Sequence, residues 1–274
     1  TFSYQWSMSD KYGFVKTSTL KNNSIGDQHI RILDGLQNVM PADIGSELQN
    51  AFSNLVNAYK YSELHEESRL GIFSLSARIT DRAEPSEALF ANTIWSVGLE
   101  NPVILLSSKQ VDSFRKGDSI DTEQEIKGDR GAYFVSAKMS IPPQESAEWK
   151  CVANVHQSQS QTIALIDDIV RNPELDTILV DDIKKGSTEL LDKVMSIDGL
   201  HVSEDPLIDS RHYSNTLFNG MRGGIFPKNY TIQKKDFLTY IEHGNISAFE
   251  NVKEHLTELP MEFNLNELSA WIGK

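Results

Sequence analysis

The chain has 274 residues, 39% hydrophobic and 24% charged, enough to bury one large core and part of a second unit. Its formal net charge of −13 argues against a binder of nucleic-acid backbones, which needs a basic surface patch. The single cysteine, Cys151, excludes an internal disulfide framework and any multi-cysteine zinc site, and the best apolar run, Val103 to Leu106, is strand-sized and far short of a membrane span.

The first part of the chain reads as β. Tyr12 to Thr19 mixes aromatic and β-branched residues, and Gln28 to Leu33 alternates polar with apolar before Asp34-Gly35, which predicts a turn, and Leu36 to Pro41, which predicts a loop. Ser46 to Val56 carries Leu48, Phe52 and Leu55 at helical spacing. Strands follow at Tyr59 to Glu66, Arg69 to Thr80, Phe90 to Leu99, Val103 to Ser107, Glu123 to Ile126, Gly131 to Ile141 and Glu148 to His156. In the second of these ranges, Arg69 to Thr80, Phe73, Leu75, Ala77 and Ile79 share a face while Ser74, Ser76 and Arg78 take the other, the pattern of an antiparallel strand with one wet side. Eight or nine such strands with short turns predict two packed antiparallel sheets over residues 1–158.

The periodicity changes near residue 160. Ile163, Ile166, Ile169 and Val170 have helical spacing, Asn172-Pro173 supplies an N-cap and a first-turn proline, and Leu175, Ile178, Leu179 and Ile183 continue on one face. Gly186-Ser187 predicts a break and a new cap before Leu190, Leu191, Val194 and Met195. These helices are too few for a core of their own, so residues 159–206 read as a helical linker packed on the sheets.

The stretch Arg211-His-Tyr-Ser-Asn-Thr-Leu-Phe-Asn-Gly-Met-Arg-Gly-Gly-Ile-Phe226 opens the last segment, 207–274. Tyr213, Leu217 and Met221 form an apolar row, and Arg211, Asn215, Asn219 and Arg222 form a polar stripe at spacings 4, 4 and 3. Gly223-Gly224 follows the helix end, so it reads as a C-cap, not as a phosphate cradle, which uses a helix start. Further helices are expected over Lys235 to His243 and Ala248 to Thr257, the second behind a capping box at Ser247 to Glu250; Asn264 to Glu267 repeats that pattern.

Chemistry is sparse. The acidic pairs Glu84/Glu87, Asp167-Asp168 and Asp181-Asp182 are explained by turns and solvated helix faces, and His29, His65, His156, His201, His212, His243 and His255 fall into no metal-ligand spacing. No catalytic residue, metal site or cofactor is read. Cys151, Trp95 and Trp149 sit in alternating strands and are expected in the core. The chain opens on Thr1-Phe-Ser-Tyr4 without an initiator Met or signal-peptide pattern and stops soon after an apolar helical start, which predicts a piece of a longer, cytoplasmic protein.

Trp6 with Tyr12-Gly-Phe14, Leu33-Asp-Gly-Leu-Gln-Asn-Val-Met-Pro41, Glu84-Pro-Ser-Glu87, Arg130-Gly-Ala-Tyr-Phe134 and the Arg211 to Phe226 stretch together resemble large cellobiose-phosphorylase-like proteins, relatives of the glycoside phosphorylases and glucoamylase-type hydrolases. The resemblance implies a galactose-mutarotase-like β-supersandwich (1–158), a helical linker (159–206) and the start of an (α/α)6 barrel (207–274) that holds the acid–base carboxylate elsewhere. It implies a non-catalytic N-terminal region of a carbohydrate-active enzyme that packs on the barrel, with oligo- or monosaccharides as ligands and a homodimer as a further expectation. Carbohydrate contact is then assigned to Arg211, Asn215, Asn219, Arg222 and Trp6. Two alternatives remain at this level: a stand-alone aldose epimerase, which needs a His acid and a carboxylate base at one pocket, and a structural interaction module.

Overall fold

The computed structural model describes residues 1–51, 53–79, 88–198, 202–223, 231–253 and 259–272. Among the described residues, ten strands build the first part: β1 (Phe2–Ser9), β2 (Gly13–Lys21), β3 (Gln28–Val39), β4 (Lys60–His65), β5 (Leu70–Leu75), β6 (Phe90–Val97), β7 (Val103–Leu105), β8 (Glu125–Lys127), β9 (Gly131–Ile141) and β10 (Ser146–Ser158). They form a seven-stranded sheet in the order β1-β2-β10-β6-β5-β4-β8 and a three-stranded sheet in the order β3-β9-β7. Every pairing within these two sheets is antiparallel. Short helices α1 (Ser46–Ala51), α2 (Ser53–Tyr59) and α3 (Val111–Lys116) lie in the connections.

The alternation of each strand explains the layering. Ile94 and Cys151 point to one face of the large sheet, where they meet Ile32, Ile104, Tyr133 and Val135 from the small sheet in one core. Their neighbours Trp95 and Val152 point to the opposite face, where they join Tyr12, Val15 and Leu70. That second face is closed by α4 (Gln159–Arg171) and α5 (Leu175–Asp198), which contribute Leu165, Ile166, Ile169, Leu175, Leu179 and Ile183. Each fully buried side chain of this size contributes roughly 1.5–3 kcal/mol of transfer free energy. Trp95, Trp149 and Cys151 are therefore core residues, as their alternating contexts predict.

Local chemistry sets the helix ends. Ser158 accepts from Gln161 N while Gln161 returns its side chain to Ser158 N, a capping box at the start of α4. Asn172 accepts from Glu174 N at 3.2 Å and, with Pro173, turns the chain into α5.

Several expectations need correction. Asp34-Gly35 is not a turn and Leu36 to Val39 is not a loop, because β3 runs unbroken in register against β9 from Gln28 to Val39 apart from a bulge after Gln37. Gly35 serves close approach: a Cβ there would lie 2.0 Å from the Tyr133 carbonyl oxygen, at φ +154°. Gly186-Ser187 does not break the helix, since α5 spans both; one glycine costs about 1 kcal/mol against alanine, which helix packing outweighs. β1 and α3 were not foreseen. The cap of the Ala248 helix is Asn245, which accepts from Ala248 N at 3.0 Å, and not Ser247.

The chain divides into two compact units, Thr1–Gly186 and Ser187–Lys274, with the division inside α5. The second unit contains α6 (Pro206–Met221), β11 (Ile232–Gln233), α7 (Lys234–Gly244), α8 (Ile246–Val252), β12 (Glu262–Phe263) and α9 (Leu265–Ile272). Its own core is Leu259, Phe263 and Leu268 packed with Ile232, Phe237, Leu238, Phe249 and Trp271. The capping box expected at Asn264 is present: Glu267 N donates to Asn264 Oδ1 at 2.9 Å and Asn264 N to Glu267 Oε2 at 2.8 Å. No helix among the described residues is long and apolar enough to cross a membrane.

Candidate functional site

Trp6 lies in β1, the end strand of the large sheet, with its side chain 50% exposed. The sequence Phe2-Ser-Tyr4-Gln-Trp6-Ser-Met8 alternates without a fault, so Phe2, Tyr4, Trp6 and Met8 all project from one face. The β1–β2 register sets Trp6 opposite Lys16 and Met8 opposite Phe14, which is also half exposed. Lys16 in turn pairs with Cys151 of β10, so this row lies on the face that elsewhere packs on the small sheet. The result is an aromatic margin roughly 20 Å long at about 3.4 Å per residue, continuous with the core but open to solvent. Phe2 stacks on the buried Trp149 at 6.2 Å between ring centroids, and Lys16 Nζ sits 5.5 Å from the Tyr4 ring.

Behind the margin a polar cluster crosses the two sheets. Lys16 of β2 forms an ion pair with Asp34 of β3, and Asp34 Oδ2 also accepts from Ser18 Oγ at 2.7 Å and Trp149 Nε1 at 2.8 Å. Burial pushes the Asp34 carboxyl up, but the Lys16, Ser18 and Trp149 donors outweigh it and hold the group below the ordinary carboxylate range. Burial raises the Cys151 thiol to about 12, and the nearby Asp34 charge adds to it, so this is an inert thiol.

A second polar feature lies between the strands and α4. A bulge in β10 between Asn154 and Gln157 puts His156 at φ +54° and aims amide side chains over the first turns of α4. Asn154, Gln157, Gln161, Lys11, Tyr12 and Asp168 line a cleft of about 600 Å³ there. Tyr12 Oη and Lys11 Nζ both donate to Asp168 Oδ2, at 2.8 and 2.7 Å. Burial raises the Asp168 carboxyl, but the Lys11 and Tyr12 donors outweigh it and leave the group below its ordinary value.

The polar stripe of α6 is where its spacing puts it, on the exposed side of the helix. Asn219 Nδ2 donates to the Asn215 carbonyl at 2.9 Å, and the Arg222 guanidinium rests 5.2 Å from the Phe218 ring. Arg222 is the C-cap and Gly223 follows at φ +83°, as the helix-stop reading expects. Met221, placed in the apolar row by its spacing, is 80% exposed, while Thr216 is buried. The stripe belongs to the second unit and Trp6 to the first.

The remaining titratable candidates do not converge. His29 is on β3; His65 bonds Ser68 at the end of β4; His156 stacks on Phe90 and lies 3.3 Å from Asp43. Asp182 accepts from Ser9, and Asp167 pairs with Arg171. Glu84, Glu87, His201 and His255 lie outside the described residues. Among the described residues no group of His, Cys, Asp and Glu has a metal-holding arrangement. The aromatic margin was legible in the alternation of residues 2–8, but the cleft was not, since its lining comes from three separated segments.

Residues 226–274 match the family model of glycoside hydrolase family 149 insertion domain 1. The match covers α7, α8, α9 and the core around Phe263, and it supports a relationship to glycoside hydrolase-family enzymes. A comparison with the curated proteins found no match.

Proposed function

We propose that this chain is an accessory, non-catalytic region of a carbohydrate-active enzyme of the glycoside hydrolase or glycoside phosphorylase type. The observation that carries the reading is the match of residues 226–274 to an insertion domain of a glycoside hydrolase family. The two antiparallel sheets and the two helices covering the outer face of the larger one support the finer reading of a galactose-mutarotase-like supersandwich with a helical linker, as in the cellobiose-phosphorylase-like proteins. On this reading α6 begins an (α/α)6 catalytic barrel, and the insertion-like unit follows it. Saccharide contact is assigned to Trp6 on the aromatic margin and to Arg211, Asn215, Asn219 and Arg222 on α6. An exposed indole offers an apolar face to a sugar ring, while guanidinium and amide groups offer donors to its hydroxyls. A homodimer is part of the same proposal.

The test is turnover by the chain itself. Incubation with a panel of disaccharides, with and without phosphate, is expected to release no monosaccharide and no sugar phosphate, whereas measurable hydrolysis or phosphorolysis would sink the proposal. The epimerase alternative predicts faster mutarotation of α-glucose or α-galactose than buffer alone.

A further inference from the structure

A second cavity, of about 340 Å³, lies apart from the aromatic margin and is built around a buried cation. Lys60, the first residue of β4, is only 4% exposed. Its ammonium donates to Gln49 Oε1 at 2.8 Å and approaches Met40 Sδ at 3.8 Å, a weak acceptor, so one of its three N–H groups is left for another acceptor. No described carboxylate forms an ion pair with it. Asp129, the carboxylate whose charge acts on Lys60, is itself engaged by Lys109 at 3.3 Å and by the Arg130 backbone N–H at 2.7 Å. The cavity is completed by Arg130 and by the side chains of Asn38 and Asn50, all of them sources of N–H donors. Asn38 is presented there by the β3 bulge, at φ +57°.

Burying an ammonium without a carboxylate in ion-pair contact is costly, and here burial first, then the Arg130 charge, push the Lys60 group below its ordinary value, with Asp129 offsetting them only in part. Two cations facing one polar cavity, in a chain with a net charge of −13, form an arrangement that an anion would complete. A cation would be repelled, and a neutral sugar would add no charge opposite Lys60 and Arg130.

We infer that this cavity is a binding site for a small oxyanion, inorganic phosphate or the phosphate of a monoester, held by Lys60 and Arg130 with Asn38 and Asn50. The inference goes beyond the proposed function and shares no residue with it. The test is the thermal midpoint of the chain in increasing sodium phosphate against sodium chloride at matched ionic strength, with affinity fitted from the shift. A saturable rise specific to phosphate is expected. Arg130→Gln alters an exposed side chain and leaves the fold intact, and it is expected to weaken the affinity at least ~10-fold. Lys60→Met removes the buried charge at similar volume. It is expected to abolish the phosphate response while leaving the unliganded midpoint equal or higher, which a purely structural lysine would not do. Equal shifts in chloride and phosphate, or an unchanged phosphate response in both variants, would overturn the inference. A hexose 6-phosphate titrated in parallel separates the sources: tighter binding than phosphate assigns a monoester, and equal or weaker binding assigns the free ion, both within the inferred chemistry.

Discussion

Trp149 of β10 donates its indole N–H to the carboxylate of Asp34 on the facing sheet, 2.8 Å away, in the same place where Lys16 closes its ion pair with Asp34. The two sheets are thus tied by one polar cluster at the border between the apolar core and the open aromatic margin. Removing one member of a buried ion pair leaves the other charge uncompensated.

Asp34→Asn is therefore expected to destabilise the chain by about 3 kcal/mol at neutral pH, measured by urea unfolding. The folded carboxyl lies below its ordinary value, so its contribution is present above the unfolded-state value of about 3.9 and is lost as pH falls through the folded value. The gap between wild type and Asp34→Asn should accordingly shrink as the pH is lowered below about 4. A gap that is constant with pH would mean that the carboxylate charge plays no part.

Gly35→Ala tests the strand reading of the same segment. A Cβ would stand 2.0 Å from the Tyr133 carbonyl oxygen of β9, so the edge strand β3 must part from the central strand β9 of the small sheet. A loss of at least about 2 kcal/mol is expected in the same unfolding experiment. A neutral result would put the segment back in a turn.

Cys151 should be silent to a thiol reagent in the native state at pH 8 and react fully in denaturant, since burial holds its thiol at about 12. Rapid native labelling would contradict the burial of the Cys151 side chain between the two sheets.

Ser158→Ala removes the side-chain half of the capping box at the point where the strands give way to α4. About 1 kcal/mol of stability should be lost in thermal or urea unfolding, with the amides of residues 159–161 exchanging faster.

Features set by a few consecutive residues were legible in advance. Asn172-Pro173, the box at Asn264 and Glu267, and the glycine stop after Arg222 are all satisfied within one turn of chain. Features decided by distant partners were not. Asp34-Gly35 has turn composition, yet Lys16 and Trp149, neither of them close in sequence, keep Asp34 inside the fold. Gly186-Ser187 has the composition of a helix break, yet α5 continues through it. For the candidate site, the spacing on α6 placed four polar residues on an exposed side but gave no sign that Met221 is exposed as well. Trp6 taken alone is one aromatic; its row with Phe2, Tyr4 and Met8 follows from the alternation of β1. The cleft at Asp168 and the cavity at Lys60 draw on residues far apart in sequence, so only the folded chain assembles them.

The most direct test of the proposed role is calorimetric titration of gluco-oligosaccharides into the wild-type chain and into Trp6→Ala. Trp6 is half exposed, so its removal should change stability by no more than about 0.5 kcal/mol and leave the fold available for comparison. The account predicts saturable heat with the wild type and at least a ~10-fold loss of affinity in the variant. No heat with any saccharide, or equal affinity in the two proteins, would contradict it.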